Sequence, residues 1–211
     1  MRLKGSKTSN ASIWLPLLFV IVFAITRWPG LMPPNFSAAY GFAFCAGVYF
    51  PGRMKWVLPL GSILFMDLLL NQYYHAPLMD LQLWLFILVK LAAFAGLVWA
   101  GSRFNAKSSF VSLLAGGVVG AVVFYLVTNF ASWLYDPAYQ KTLRGLFQAL
   151  TSGVPGLPPT WTFFKNSLLS GGLFTGLFAG AMKLSEAAEK AEEEEKAEEP
   201  ESEAQPEKAG A

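Results

Sequence analysis

The sequence predicts an all-α membrane protein with six transmembrane helices and both termini in the cytoplasm, and three observations lead there. Of its 211 residues, 54% are hydrophobic and only 14% charged, well below the roughly 25% charged residues of soluble domains. The apolar residues gather in six runs, at 13–28, 37–50, 56–71, 81–101, 109–134 and 164–184. The charges are segregated: residues 1–185 hold 13 Lys/Arg against three acids, Asp67, Asp80 and Asp136, whereas the tail from Glu186 holds eleven Glu against three Lys. The small total of +2 thus conceals a basic body and an acidic tail. Three regions follow: a cytoplasmic N-terminal segment (1–12), a six-helix transmembrane domain (13–184), and an acidic, largely disordered cytoplasmic tail (185–211).

The first run follows a basic start (Arg2, Lys4, Lys7) and ends at Arg27. The small residues Ser37-Ala38-Ala39 come too late after it to serve as a signal cleavage site, so it reads as a retained helix. The second run is only 14 residues long and is closed by Pro51-Gly52. A helix needs about 20 apolar residues to cross a bilayer, so a piece this short survives at membrane depth only if other helices or a cavity cover its ends. The third run is marginal in length, and the fourth, fifth and sixth are ample. Lys and Arg in the N-terminal segment, at Arg53 and Lys55, and at Arg103 and Lys107 fall on one side, and segment 72–80 on the other side has neither. The positive-inside rule places the first side in the cytoplasm. Lys141 and Arg144, in the long outer segment 135–163, are the exception. That segment is expected to hold a short surface helix within 138–150 and a turn or lid at 151–160, where Gly and Pro concentrate. The tail starts as a helical Glu/Ala/Lys continuation of the last span, and Pro200 and Pro206 end it.

Cys45 and His75 are the only residues of their kinds. An intrachain disulfide is therefore excluded, and zinc-hydrolase and His-triad chemistry lose their ligands. No nucleotide-binding P-loop, Gly-x-Ser-x-Gly elbow or His-Glu-x-x-His helix is present. No catalytic residue, metal site or cofactor is assigned. The basic excess lies in loops beside a lipid bilayer and does not point to nucleic acid.

Small residues recur every fourth position: Ala39/Ala43/Gly47, Ala92/Gly96/Ala100, Gly116/Gly120 and Gly172/Gly176/Gly180. Such stripes let helix backbones approach closely, either within the chain or against a partner membrane protein. For the partner alternative, the second-run stripe is the leading candidate. Asp67 lies late in the third run and Lys90 mid-way along the fourth. A charge at membrane depth costs at least about 2.5–3.5 kcal/mol, so the two are expected to pair as an intramembrane ion pair, in a structural or a ligand-related role. Asn129 and Trp133 are four apart and share a helix face. They, Thr128, Asn35, Phe36, Asn71, Tyr73, Tyr74, His75 and Trp161 all map to the outer side, where converging polar and aromatic groups are the usual form of a small-molecule site.

These strings carry a resemblance. Arg27-Trp-Pro29, then Pro34-Asn35-Phe36-Ser37, a short small-residue helix closing at Pro51, and Leu64-Phe-Met-Asp67-Leu resemble the start of the substrate-binding (S) subunits of energy-coupling-factor vitamin transporters. More closely, the body resembles an uncharacterised bacterial membrane family distantly similar to those subunits, through the same Pro-Asn-Phe-Ser string, the late Asp67, Thr128-Asn129-Phe-Ala-Ser-Trp133, Tyr139-Gln-Lys-Thr142-Leu-Arg-Gly145-Leu146 and Phe164-Lys-Asn166-Ser167. Ala38 stands where that family usually has Pro, and Met66 where it has Ser. The first run also lacks the Ala-x-x-x-Ala stripe by which S subunits dock their coupling subunit. The resemblance implies a bacterial inner-membrane bundle like the S component, with a short second helix. It also implies binding of a small vitamin-like molecule, with an ATPase and a coupling membrane subunit as partners. The expected pocket residues are Arg27 against an anionic group, Asn35 and Asn129 as hydrogen-bonding amides, Trp133 for stacking, and Asp67. A membrane scaffold or assembly factor without a transported ligand is the alternative; a membrane enzyme ranks behind both.

Overall fold

The computed structural model describes the backbone of residues 11–198 and the side chains of residues 14–195. Within them the chain is all helical: α1 (Ala11–Arg27), α2 (Ala39–Tyr49), α3 (Met54–Tyr73), α4 (Leu81–Gly101), α5 (Phe110–Tyr135), α6 (Leu143–Leu150) and α7 (Thr160–Glu198). Helices α3, α4, α5 and α7 are long and apolar enough to cross a membrane; α1 and α2 are shorter apolar helices. In each of the four long helices, only 22 to 39% of the apolar window is buried inside the protein. Much of the rest faces outward, including Val57, Phe65, Leu88, Val111 and Val119. A soluble protein would hide these side chains, because apolar faces this large bury themselves against protein or lipid. The chain is therefore a multi-pass membrane protein.

Helices α5 and α7 run antiparallel, Gly117 facing Thr175 and Gly171 facing Ala121, and contacts between distant residues identify the two ends of the bundle. At one end, the Asn166 amide at the start of α7 donates to the Pro34 carbonyl of the α1–α2 loop at 2.9 Å, and Trp28 lies against Tyr73. At the other end, Lys183 Nζ donates to the Ala106 carbonyl of the α4–α5 loop at 2.9 Å. The connection 136–159, with α6, belongs to the first end.

The short α2 forms the core. Nine of its eleven residues, Ala39 to Gly47, are buried, and it packs against α1, α3, α4, α5 and α7. At 1.5 Å per residue it is about 16 Å long, half a hydrocarbon core, and neighbouring helices shield its backbone from lipid. Glycine makes the close approach possible. A Cβ on Gly47 would strike the Val98 carbonyl of α4, one on Gly101 the Phe44 carbonyl of α2, and one on Gly41 the backbone of α7 at Phe174 and Thr175. Phe19, Phe23, Phe42, Phe44 and Phe94 fill the remaining space and are fully buried.

Ala39 and Ala43 are buried inside this assembly, so the second-run stripe faces the chain's own helices and is not open to a partner. Gly116 and Gly120 lie against Phe44 and Leu97, where a Cβ would come within 2.6 and 2.7 Å. Gly172, Gly176 and Gly180 are looser, with a Cβ meeting its nearest atom at 3.3, 3.7 and 4.0 Å. The tightest positions in α5 and α7, Gly117 and Gly171, lie one residue away from the stripes read from sequence. The first half of the tail continues the last helix, as its Glu/Ala/Lys sequence predicts: α7 runs to Glu198. Ala, Glu and Lys are strong helix formers, and Lys190 and Glu194 pair at 3.5 Å one turn apart. Arg2, Lys4, Lys7, Pro200 and Pro206 lie outside the described residues.

Candidate functional site

The site begins at the end of α1. Thr26, buried, donates its hydroxyl to the Val22 carbonyl at 2.9 Å and accepts the Ala38 backbone N–H at 3.0 Å. That bond closes the loop 27–37 on itself just before α2. Within the loop, Phe36 N–H bonds the Pro33 carbonyl at 2.9 Å, and Asn35 has φ +61°. This is a tight turn with proline first and a left-handed residue second, a role that Asn fills more readily than other non-glycine residues. Ser37 Oγ accepts the Ala39 N–H at 3.1 Å and starts α2.

Around this loop is a cavity of about 340 Å³, lined by Arg27, Trp28, Asn35, Phe36 and Ser37 together with Leu70 and Tyr74 at the end of α3. Behind it stands Asp67. Its Oδ1 accepts from Arg27 Nη2 at 2.8 Å, and Lys90 Nζ lies 2.7 Å from its Oδ2. The Asp67 side chain is 2% exposed, those of Arg27 and Lys90 23% and 28%. The Arg27 contact is an aligned hydrogen bond. The Lys90 contact is a Coulombic pair, because its angle leaves Oδ2 without a directed donor. Helices α1, α3 and α4 are therefore joined through one buried carboxylate carrying two cations. Removing Asp67 would leave both cations without a counter-charge, at a cost of about 3–5 kcal/mol.

Of the residues expected to form one pocket, Arg27 and Asn35 line this cavity and Asp67 lies against Arg27. Asn129 and Trp133 line none of the cavities near it, and their polar atoms have local partners. Asn129 Nδ2 donates to the Tyr125 carbonyl at 2.8 Å, one turn back in α5. Trp133 Nε1 donates to the Gln140 carbonyl at 2.9 Å. Thr128 and Ser132 also bond carbonyls four residues back, at 2.9 and 3.1 Å, a pattern that satisfies hydroxyls within a helix.

The next string builds the connection from α5 to α7. Lys141 Nζ donates to the carbonyls of Trp133 and Asp136, both at 2.7 Å, and of Tyr139 at 3.1 Å. The first two lie at the end of α5, where a cation also meets the negative end of the helix dipole. Thr142 caps α6 by accepting the Gly145 N–H at 3.1 Å, and a side chain at Gly145 would strike the Gln140 carbonyl. Tyr139 is buried. Burial first, and then the nearby Asp136 carboxylate, raise its phenol above the usual range, and a hydrogen bond with Thr160 offsets part of the rise. Tyr125 Oη fastens the end of α6 by donating to the Leu150 carbonyl at 2.6 Å. Leu143 and Phe147, four apart, remain exposed on α6, the short helix expected within 138–150.

Sequence reasoning did not name Thr26, which closes the cavity loop, and held Trp28 and Ser37, which line the cavity, only as members of strings. Asn166 and Ser167 were visible as part of a string, and their jobs are now specific: Asn166 holds Pro34, and Ser167 Oγ shares a 3.0 Å hydrogen bond with the buried Tyr40 hydroxyl of α2.

Fold and site together define a multi-pass helical membrane protein with a cationic, aromatic-lined cavity at one end of its bundle. A model of a family of unknown function, DUF6580, matches residues 7–194, and the chain belongs to that family. No curated protein and no solved structure matches the chain.

Proposed function

We propose that the protein is a substrate-binding membrane subunit for uptake of a small, vitamin-like molecule, energised by partner proteins: an ATPase and a coupling membrane subunit. The observation that carries this reading is the 340 Å³ cavity, where the Arg27 guanidinium meets Trp28, Phe36 and Tyr74. Its size lies at the lower end of the range for small-molecule pockets, and a few polar groups among aromatic walls is their usual lining. In this reading six helices cross the bacterial inner membrane, with both termini in the cytoplasm and the cavity facing out. The likeness of the first three helices to S subunits supports it. In keeping with that role the chain itself does no chemistry.

Thermal shifts of the purified protein against a panel of vitamins and nucleobases test the reading. A stabilising compound is expected, and its effect should be lost in Trp28→Ala. A panel in which nothing stabilises the protein would overturn it. The scaffold alternative keeps one observation: a largely apolar cleft of about 730 Å³ between α4 and α5, lined by Ala92, Gly96, Ala100, Ala115 and Val119, wide enough to seat part of another membrane helix. Cross-linking that recovers a stable partner unrelated to transport, at that cleft, would favour it.

A further inference from the structure

The charge count at Asp67 is uneven. One buried carboxylate faces two cations, Arg27 at 2.8 Å and Lys90 at 2.7 Å. Lys190–Glu194 is a separate pair far along α7, and among the described residues neither cation has a second acidic partner. The other two acids of the body are engaged elsewhere: Asp80 Oδ1 accepts the Gln82 N–H at 2.9 Å and Asp136 Oδ1 the Ala138 N–H at 2.8 Å. The cluster therefore carries one uncompensated positive charge at or near membrane depth, where such a charge is costly and is normally matched.

The excess is presented to the cavity through Arg27. Its Nη2 is committed to Asp67, whereas Nε and Nη1 have no hydrogen-bond partner among the described residues, and the side chain lines the cavity wall. A guanidinium with a free edge is suited to a planar two-oxygen anion. Asp67 fixes its orientation in advance, so little entropy is lost on binding. Trp28, Phe36 and Tyr74 line the same cavity and offer faces to an apolar or aromatic body. The size of the excess selects among anions. A carboxylate brings one negative charge and neutralises the cluster, whereas a phosphate monoester brings about 1.5 to 2 and overshoots it.

We infer that the cavity takes a small organic monocarboxylate, its carboxylate on the free edge of Arg27, with Lys90 as a positioning residue that supplies the net charge through Asp67. The inference rests on the binding reading above and adds the class of ligand. Lys90 does not line the cavity; its effect is Coulombic, and substitutions that change its charge should matter more than those that change its shape.

The test uses the full-length protein in detergent, with benzoate and nicotinate as probes, benzamide and nicotinamide as their neutral counterparts, and phenyl phosphate as the dianion. Binding is read by thermal shift and by titration of tryptophan fluorescence. At least one acid is expected to bind, with its amide and phenyl phosphate at least tenfold weaker. Lys90→Met, which leaves the Arg27–Asp67 pair, should weaken acid binding on the order of tenfold, the effect of one unit charge acting through a partly screened medium. Lys90→Arg should recover most of it. An amide binding as well as its acid overturns the inference and leaves the binding reading in place; so does phenyl phosphate binding tightest, or Lys90→Met binding the acid like the parent. Binding by none of the five probes overturns the inference, while the broader vitamin and nucleobase panel separately decides the binding reading. The acid–amide comparison on the parent protein decides the matter even if Lys90→Met does not fold.

Discussion

Asn35 shows how a residue read for its side chain can also be held for its backbone. From sequence it is a polar group at the mouth of an apolar bundle, a candidate hydrogen-bonding amide. In the structure it lines the cavity, but its backbone also occupies the left-handed region at φ +61°, two residues after the Pro33 carbonyl that closes the turn. The two roles can be separated. Asn35→Gly keeps the turn and removes the amide, so its melting temperature should stay close to the parent's. Asn35→Ala forces an L side chain with no local hydrogen bond into that region, at a cost of about 1 kcal/mol, seen as a lower melting temperature. Were the glycine variant the less stable of the two, the turn would not be what holds Asn35 in place. The Asp67–Lys90 pair was legible in the sequence because a charge at membrane depth needs a partner. The third member was not: Arg27 is 40 residues from Asp67, and only the loop fastened by Thr26 and Ala38 brings the end of α1 across to α3.

At the scale of elements, the connection 136–159 accounts for one of the two basic residues that break the charge rule; the other, Arg144, is exposed. Lys141 is a basic residue on the side that should lack them, but its ammonium is bound to the Trp133 and Asp136 carbonyls at the end of α5 and to the Tyr139 carbonyl just beyond it, and serves as a cap. Lys141→Met should therefore destabilise that connection by about 1 kcal/mol. It should also speed proteolysis between residues 136 and 142, without altering the end of the bundle that holds residues 102–109. Unchanged cleavage would mean that the cap contributes nothing. Both specific strings of this region, Thr128 to Trp133 and Tyr139 to Leu146, were visible as strings. Their content was not: a pattern of polar and aromatic residues reads the same whether it addresses a ligand or its own backbone, and only the partners of each polar atom tell these apart. Asn129 and Trp133 bond carbonyls of their own segment, which accounts for their presence without a ligand. The sixth run was legible in position, and so was its extension, which reaches Glu198, because an Ala/Glu/Lys sequence continues a helix whether or not lipid surrounds it.

For the whole molecule, helix order and the pairing of loops at two ends followed from hydropathy and charge, which act on long stretches and tolerate local error. The central place of α2 did not follow, because burial among five helices depends on contacts between distant glycines and phenylalanines. The topology has a convenient test in Cys45, the only cysteine, which is fully buried and should not react with a maleimide in the folded protein. Met79→Cys, at a fully exposed position beside α4, should label in intact cells with an impermeant maleimide. Lys107→Cys should label only after the membrane is opened. The reverse pattern would invert the assignment of sides.

The brevity of α2 also has an electrical consequence. The cavity at Phe36 and Ser37 lies at its start, and a second cavity of about 440 Å³, lined by Tyr49, Phe50 and Pro51, lies at its end. With water in both, the insulating layer along this line would be about 16 Å of helix in place of about 30 Å of hydrocarbon. The membrane voltage would then fall across roughly half the usual distance, and the local field would be about doubled. A charge moving between the two cavities would experience most of the membrane potential, worth about 2.3 kcal/mol per 100 mV, within the length of eleven residues.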